Sequence, residues 1–138
     1  MKRRTFLALA GSGTIAGLGG CTAIADLTED HDIGMSAHEF LPESYTVEAG
    51  DTVIWENTGS RAHTVTAYDG GQPEGAGFFA TGGFETENDA RMAWYDDREG
   101  SIYTGDRFEH TFEVPGEHDY YCVPHERGGM IGRIVVEE

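Results

Sequence analysis

The chain has 138 residues, 25 of them acidic against nine basic, and a formal net charge of −16 at pH 7. That length holds one domain and a leader, and so acidic a surface repels nucleic acid and anionic lipid head groups, so neither is expected as a ligand. The acids are scattered from Asp26 to Glu138 rather than gathered, which fits a surface adapted to very high salt, where the Debye length shrinks to about 3 Å, better than it fits an acidic docking patch for a basic partner.

Residues 1–20 read as an export signal. Met1-Lys2-Arg3-Arg4 is basic, and Phe6 to Leu18 is apolar and Gly-rich. It is too short for a membrane-spanning helix, which needs about 20 apolar residues. Arg3-Arg4-Thr5-Phe6-Leu7 resembles a twin-arginine translocation motif, and Leu18-Gly19-Gly20-Cys21 resembles a lipobox, which implies that Cys21 is the lipid-modified first residue of the mature chain. Removing residues 1–20 deletes Lys2, Arg3 and Arg4 and no acid, so the net charge falls from −16 to −19 and every remaining base is arginine. Export would also permit a disulfide between Cys21 and Cys122, the two cysteines of the chain. Thr22 to Asp32 is a polar tether that reaches roughly 35 Å at about 3.3 Å per residue, and His31 within it reads as solvated. The expected organisation is a signal over 1–20, a lipid-anchored tether over 21–32 and a domain over 33–138. That arrangement places the domain on the outer face of the cytoplasmic membrane.

From Ile33 the pattern is strand and turn. Tyr45-Thr46-Val47-Glu48 alternates and meets the turn signal Ala49-Gly50-Asp51; Thr52-Val53-Ile54-Trp55 is β-branched and aromatic and stops at Asn57-Thr58-Gly59-Ser60. Arg61 to Tyr68 reads as a further strand carrying His63. The stretch from Asp69 to Gly105 breaks the rhythm: a flexible loop over Asp69 to Gly77, then Thr86-Glu87-Asn88-Asp89 as a cap for a short helix through Ala90 to Tyr95. Phe78, Phe79, Phe84 and Trp94 are expected to lay this insertion over the sandwich as a cover, with Met92 packing the helix. Phe108 to Val114 alternates cleanly, Pro115-Gly116 turns the chain into His118 to Cys122, and Met130 to Val136 closes the sheet. Several short strands punctuated by Gly and Pro argue for an all-β sandwich.

Between the last two strands stands Tyr120-Tyr121-Cys122-Val123-Pro124-His125-Glu126-Arg127-Gly128-Gly129-Met130. It places a thiol, an imidazole and a thioether within nine residues. A thiolate and two imidazoles in a plane with a weak axial thioether form a blue-copper electron-transfer set, and His63 is the obvious second imidazole. The Cys-x-x-His-x-x-x-x-Met spacing resembles the copper loop of blue copper proteins (cupredoxins), in particular plastocyanin-like and halocyanin-like members. Gly50-Asp51-Thr52-Val53-Ile54-Trp55-Glu56-Asn57 and Ala62-His63-Thr64-Val65 resemble the strand and first-ligand context of the same family.

The resemblance covers Ile33 to Glu138. It implies a Greek-key β-sandwich with a short helix inserted between the first His ligand and the Cys loop. It also implies one type 1 copper ion held by His63, Cys122, His125 and Met130, and one-electron exchange with redox partner proteins of a membrane electron-transport chain. His125 would be edge-exposed in an apolar patch to which Val123, Pro124, Gly128, Gly129 and Ile131 contribute. Thr64 stands where the family often carries Asn, whose side chain ties the two ligand loops. His38, His110 and His118 are read as structural or surface residues, His118 sharing a strand face with Cys122. A loop-buried metal with no open position argues against an enzyme, and no His-x-His pair for further coppers occurs. A copper-binding module for storage, delivery or sensing is the alternative, and a monomer is expected.

Overall fold

The strand β4, Asp51–Asn57, is the spine of the domain in the computed structural model, which describes residues 31–138. Its β-branched and aromatic residues suit a pleated, half-buried surface, and alternate positions Val53, Trp55 and Asn57 are buried while Thr52 is exposed. Around it β1 (Ile33–Met35), β2 (Phe40–Leu41) and β6 (Arg107–Phe112) build one sheet in the order β2-β1-β4-β6. The second sheet runs β3-β8-β7-β5, with β3 at Ser44–Glu48, β5 at Thr66–Ala67, β7 at Gly116–Tyr121 and β8 at Ile131–Glu137. The pairs β1–β4 and β3–β8 are parallel and the others antiparallel. The expected all-β sandwich is therefore what forms.

The two sheets bury an aromatic centre. The Trp55 ring meets Tyr120 edge-on at 5.4 Å and lies 5.5 Å from Phe108 and 6.2 Å from both Phe79 and Phe112. Such pairs add about 0.5–1.5 kcal/mol each beyond their buried area. Gly132 on β8 makes room for this centre, because a Cβ there would collide with the Tyr120 ring.

The domain begins earlier than the sequence suggests. Asp32 accepts hydrogen bonds from Ile54 N (2.9 Å) and the Tyr45 hydroxyl (3.1 Å), and its own N–H donates to Ile54 O. His31 is half-buried with Nδ1 3.5 Å from Glu56, so it is not a solvated tether residue. The twin-arginine-like motif, Cys21 and the rest of the tether lie outside the described residues.

The strand expected over Arg61 to Tyr68 shortens to Thr66–Ala67. Upstream the backbone pairs with the insertion: His63 and Ile102 exchange both hydrogen bonds (3.1 and 2.8 Å), and Thr81 N donates to Val65 O. These groups are satisfied by partners far along the chain, which local pattern does not reveal. The helix is present as α1, Glu87–Asp97; Thr86 caps it by accepting from Asp89 N at 3.0 Å, and acids in its first turn suit the positive end of its dipole. Met92, expected to pack, is 49% exposed, because the helix rests on the sandwich through other positions and buries only Ala90 fully. Phe79 goes further than a cover: it is 3% exposed and part of the core, stacked on His110 at 4.6 Å.

Candidate metal centre

Strand register brings the ligand segments together. Thr66 opposes Tyr121 and Ala67 opposes Tyr120 in the antiparallel β5–β7 pair. Continuing that register past Tyr121 sets residues 63–65 beside residues 122–124. Two hydrogen bonds mark the join: Thr64 N donates to Cys122 Sγ at 3.4 Å, and Val123 N donates to Thr64 Oγ1 at 2.8 Å. Thr64 thus makes the tie between ligand loops that Asn makes in the resembling family, using one hydroxyl as acceptor.

The loop from Cys122 to Met130 joins β7 to β8, whose ends are in register at Tyr121 and Ile131. Cys122 N donates to Met130 O (3.0 Å), His125 N to Cys122 O (3.2 Å) and Met130 N to His125 O (3.2 Å), so three of the expected ligands are bonded to one another through their backbones. Pro124 sits in the first turn of the 3-10 segment Val123–Gly128, and Gly129 ends it at φ 96°, a left-handed conformation that favours glycine.

Within this frame Cys122 Sγ lies 3.5 Å from His63 Nδ1 and 3.5 Å from His125 Nδ1. The three donor atoms fall within 4.8 Å of one another, and the imidazole centroids are 4.9 Å apart at 58°. Donors at that spacing can share one first-row ion bonded at roughly 2.0–2.3 Å to each. His63, Cys122 and Met130 are fully buried, and His125 is partly exposed.

Burial pushes the Cys122 thiol up to about 11, against a smaller opposing pull from the Thr64 and His125 N–H groups. Without a cation such a sulfur keeps its proton, so a metal binds here by displacing it. Burial holds His63 and His125 below the ordinary imidazole range, which leaves both rings neutral with a lone pair for a metal. His63 Nε2 is buried and makes no hydrogen bond of good geometry, although the Ser36 carbonyl lies near enough to favour the charged form. A buried thiol facing two neutral imidazoles, with a buried thioether closing the loop, fits a soft metal such as copper.

Around the loop stands a network that the sequence did not announce. Arg91 of α1 grips Glu126 with two hydrogen bonds (2.7 and 3.2 Å) and Glu87 with Nε (3.0 Å), and Tyr68 OH donates to Glu126 at 2.6 Å. Tyr121 OH donates to Glu87, its ring stacks on Tyr68 at 4.2 Å, and the Arg91 guanidinium lies 4.4 Å over it. The insertion is thereby fastened to the residue after His125 and the residue before Cys122. An acid four positions before an arginine on a helix was the one readable hint.

Of the patch expected around His125, Gly128, Gly129 and Ile131 are exposed and Pro124 partly so, but Val123 is 4% exposed and belongs to the interior, where its N–H meets Thr64. His118 does share the Cys122 side of β7, yet it is taken up by Val114 O (2.8 Å) and Gln72 (3.2 Å). His110 packs between Phe79 and Phe112, and His38 is exposed.

The profile of copper-binding proteins of the plastocyanin/azurin family matches residues 28–137. A chloroplastic plastocyanin of Tetradesmus obliquus is 30% identical over 98 residues, which is 71% of this chain; the chain spans only 58% of that relative's length. Among solved structures, a purple cupredoxin from Nitrosopumilus maritimus is 25% identical with a TM-score of 0.53, covering 78% of this chain and all of the other. An amicyanin from Paracoccus versutus is 26% identical with a TM-score of 0.52, over 82% of this chain and 87% of the other. A match over almost the whole domain, on a fold whose loop gathers this donor set, means that the chain belongs to the plastocyanin/azurin family of copper-binding proteins, with one type 1 copper ion as its cofactor.

Proposed function

We propose that this protein is a single-copper electron carrier whose ligands are His63, Cys122, His125 and Met130. The observation that carries the reading is the convergence of a buried thiol on two imidazole Nδ1 atoms at 3.5 Å each. Copper supplies a one-electron change between Cu(II) and Cu(I). The chain's part is to hold the donors still while that happens. Backbone bonds among Cys122, His125 and Met130, and the Thr64 tie, keep the ligand frame from relaxing, so little rearranges and the barrier to transfer stays low. Burial of His63, Cys122 and Met130 keeps water out, which leaves no open position for a substrate. This protein is therefore a carrier rather than an enzyme. Partly exposed His125 is its electron port.

The same reading extends to place. Residues 1–20 act as a twin-arginine-type lipoprotein signal, Cys21 carries the lipid, and the residues between it and His31 tether the domain to the outer face of the cytoplasmic membrane. There it exchanges electrons, as a monomer, with redox partner proteins of a membrane chain.

The visible spectrum of the copper-loaded protein in high salt tests the site. An intense blue band, bleached by ascorbate and restored by oxidant, marks thiolate-to-copper charge transfer. A colourless protein that still binds copper would make it a storage or delivery module instead. The mass of the membrane-extracted chain tests the anchor: an unmodified N-terminus upstream of Cys21 would refute it.

A further inference from the structure

The carboxamide of Asn57, at the end of β4, is fully buried with both of its polar atoms in use. Its Nδ2 donates to Arg61 O at 2.8 Å and to Ile102 O at 2.9 Å, and its Oδ1 accepts from Gly59 N at 3.0 Å. A buried amide so satisfied is hard to move, because each bond it gave up would leave a polar group without a partner. Asn57 holds no metal, yet its bonds enclose the approach to His63. Ile102 O also accepts from His63 N (3.1 Å), and Ile102 N donates to His63 O (2.8 Å). One carbonyl is thus shared by the carboxamide and by the backbone of His63. The same loop also reaches the far side of the ring. Gly59 lies so close to the β1–β2 connection that a Cβ on it would stand 2.9 Å from Ser36 C and 3.1 Å from Ser36 O and Ala37 N. The Ser36 carbonyl in turn lies near His63 Nε2. Because Nδ1 faces Cys122 at 3.5 Å, Nε2 carries the ring proton when the imidazole ligates, and the group it meets helps set the ring's orientation.

We infer that Asn57 is a positioning residue for the metal centre: its carboxamide fixes the backbone on either side of His63, and side-chain-free Gly59 lets the Ser36 carbonyl reach the ring. The inference rests on the electron-carrier reading. His125 is tied to Cys122 and Met130 by backbone bonds within one loop. His63 comes from a different stretch of chain, so its aim depends on what anchors that stretch, and Asn57 and Ile102 supply the anchor. A ring held from both ends resists the tetragonal rearrangement that Cu(II) favours. Loosening it therefore stabilises the oxidised ion and lowers the reduction potential.

Three variants of the full chain, in high salt, separate positioning from mere stability. Asn57→Leu keeps the shape of the side chain and removes its hydrogen bonds. Gly59→Ala pushes on Ser36 and Ala37 from the other side. Val136→Ala is the control: it opens a buried position paired with Val47 and Gly116, at the end of β7 away from Cys122. Copper-free protein is read by amide hydrogen exchange, and copper-loaded protein by its visible and electron paramagnetic resonance spectra and its reduction potential. In Asn57→Leu the amides of His63 and Ile102 should exchange about tenfold or more faster relative to those of β8. Its ratio of Cu(I) to Cu(II) affinity should fall about tenfold, which is roughly 59 mV for one electron. Gly59→Ala should alter the copper spectra in the same sense, whereas Val136→Ala should lower the melting point and leave spectra and potential unmoved. An Asn57→Leu protein that melts lower but keeps the wild-type spectra, potential and relative exchange would overturn the inference and leave the carrier reading intact. If Asn57→Leu does not fold, unchanged spectra and potential in Gly59→Ala would overturn it instead. A wild type without a blue band would remove the carrier reading, and this inference with it.

Discussion

The loop over 122–130 and the insertion over 69–105 sit side by side at the metal end, and they are specified in opposite ways. The loop is local: the proposed ligands Cys122, His125 and Met130 lie within nine residues, and its shape comes from Pro124, from Gly129 at positive φ and from backbone bonds among those three residues. The insertion has almost no internal sheet. It borrows order by pairing Ile102 with His63 and Thr81 with Val65, by sinking Phe79 into the core, and by gripping Glu126 through Arg91. The difference teaches that a metal loop can carry its chemistry in a short motif and still depend on a distant segment for its rigidity.

The largest test of that dependence is Phe79→Ala. If the insertion were only a surface cover, the cost would be small. Because Phe79 packs against Trp55, Phe112 and Tyr120, a loss of about 3–4 kcal/mol is expected in denaturant unfolding of the copper-free protein. A loss under about 1 kcal/mol would restore the cover reading.

Thr64→Val keeps the shape and removes the acceptor of the Val123 N–H. A buried donor left without a partner costs about 1–3 kcal/mol. The blue band of the copper form should broaden as the two ligand segments loosen, and an unchanged spectrum and melting point would mean that Thr64 ties nothing.

Arg91→Met should cost less, about 1 kcal/mol, because solvent reaches the pair with Glu126 and screens it. Arg91 is also the chief cause that holds the Glu126 carboxyl below its ordinary 4.5. A lowered folded value means the contribution is present above pH 4.5 and is lost as pH falls through the folded value. The variant should therefore be less sensitive to acid than wild type below about pH 4.5, and parallel acid-unfolding curves would count against the clamp. The smallest effect is expected at exposed Met92, where Met92→Gln should stay within about 0.5 kcal/mol.

Much of this molecule was readable before its structure. β4, β6, β7 and β8 follow the alternation of Asp51–Asn57, Arg107–Phe112, Gly116–Tyr121 and Ile131–Glu137, because a strand with one buried face writes its period into the chain. The cap at Thr86 was readable for the same reason, since its partner lies only three residues away. The strand expected over 61–68 was not, because its backbone partners, Ile102 and Thr81, are far along the chain and leave no periodic mark. Val123 looked like patch and Met92 like packing because apolar character does not say which way a side chain points.

The amino-acid sequence by itself determined the donor chemistry, the loop that presents Cys122, His125 and Met130, and the sandwich that carries it, since each rests on contacts within a few residues or on a two-residue period. Only the tertiary structure decided that Thr64 would join the two ligand segments, that Phe79 would enter the core, that Arg91 would close on Glu126, and that Arg61 would come within electrostatic reach of His125. Those contacts join residues tens of positions apart. Which of many such pairings forms is settled by the packing of the whole domain, not by any stretch of chain alone.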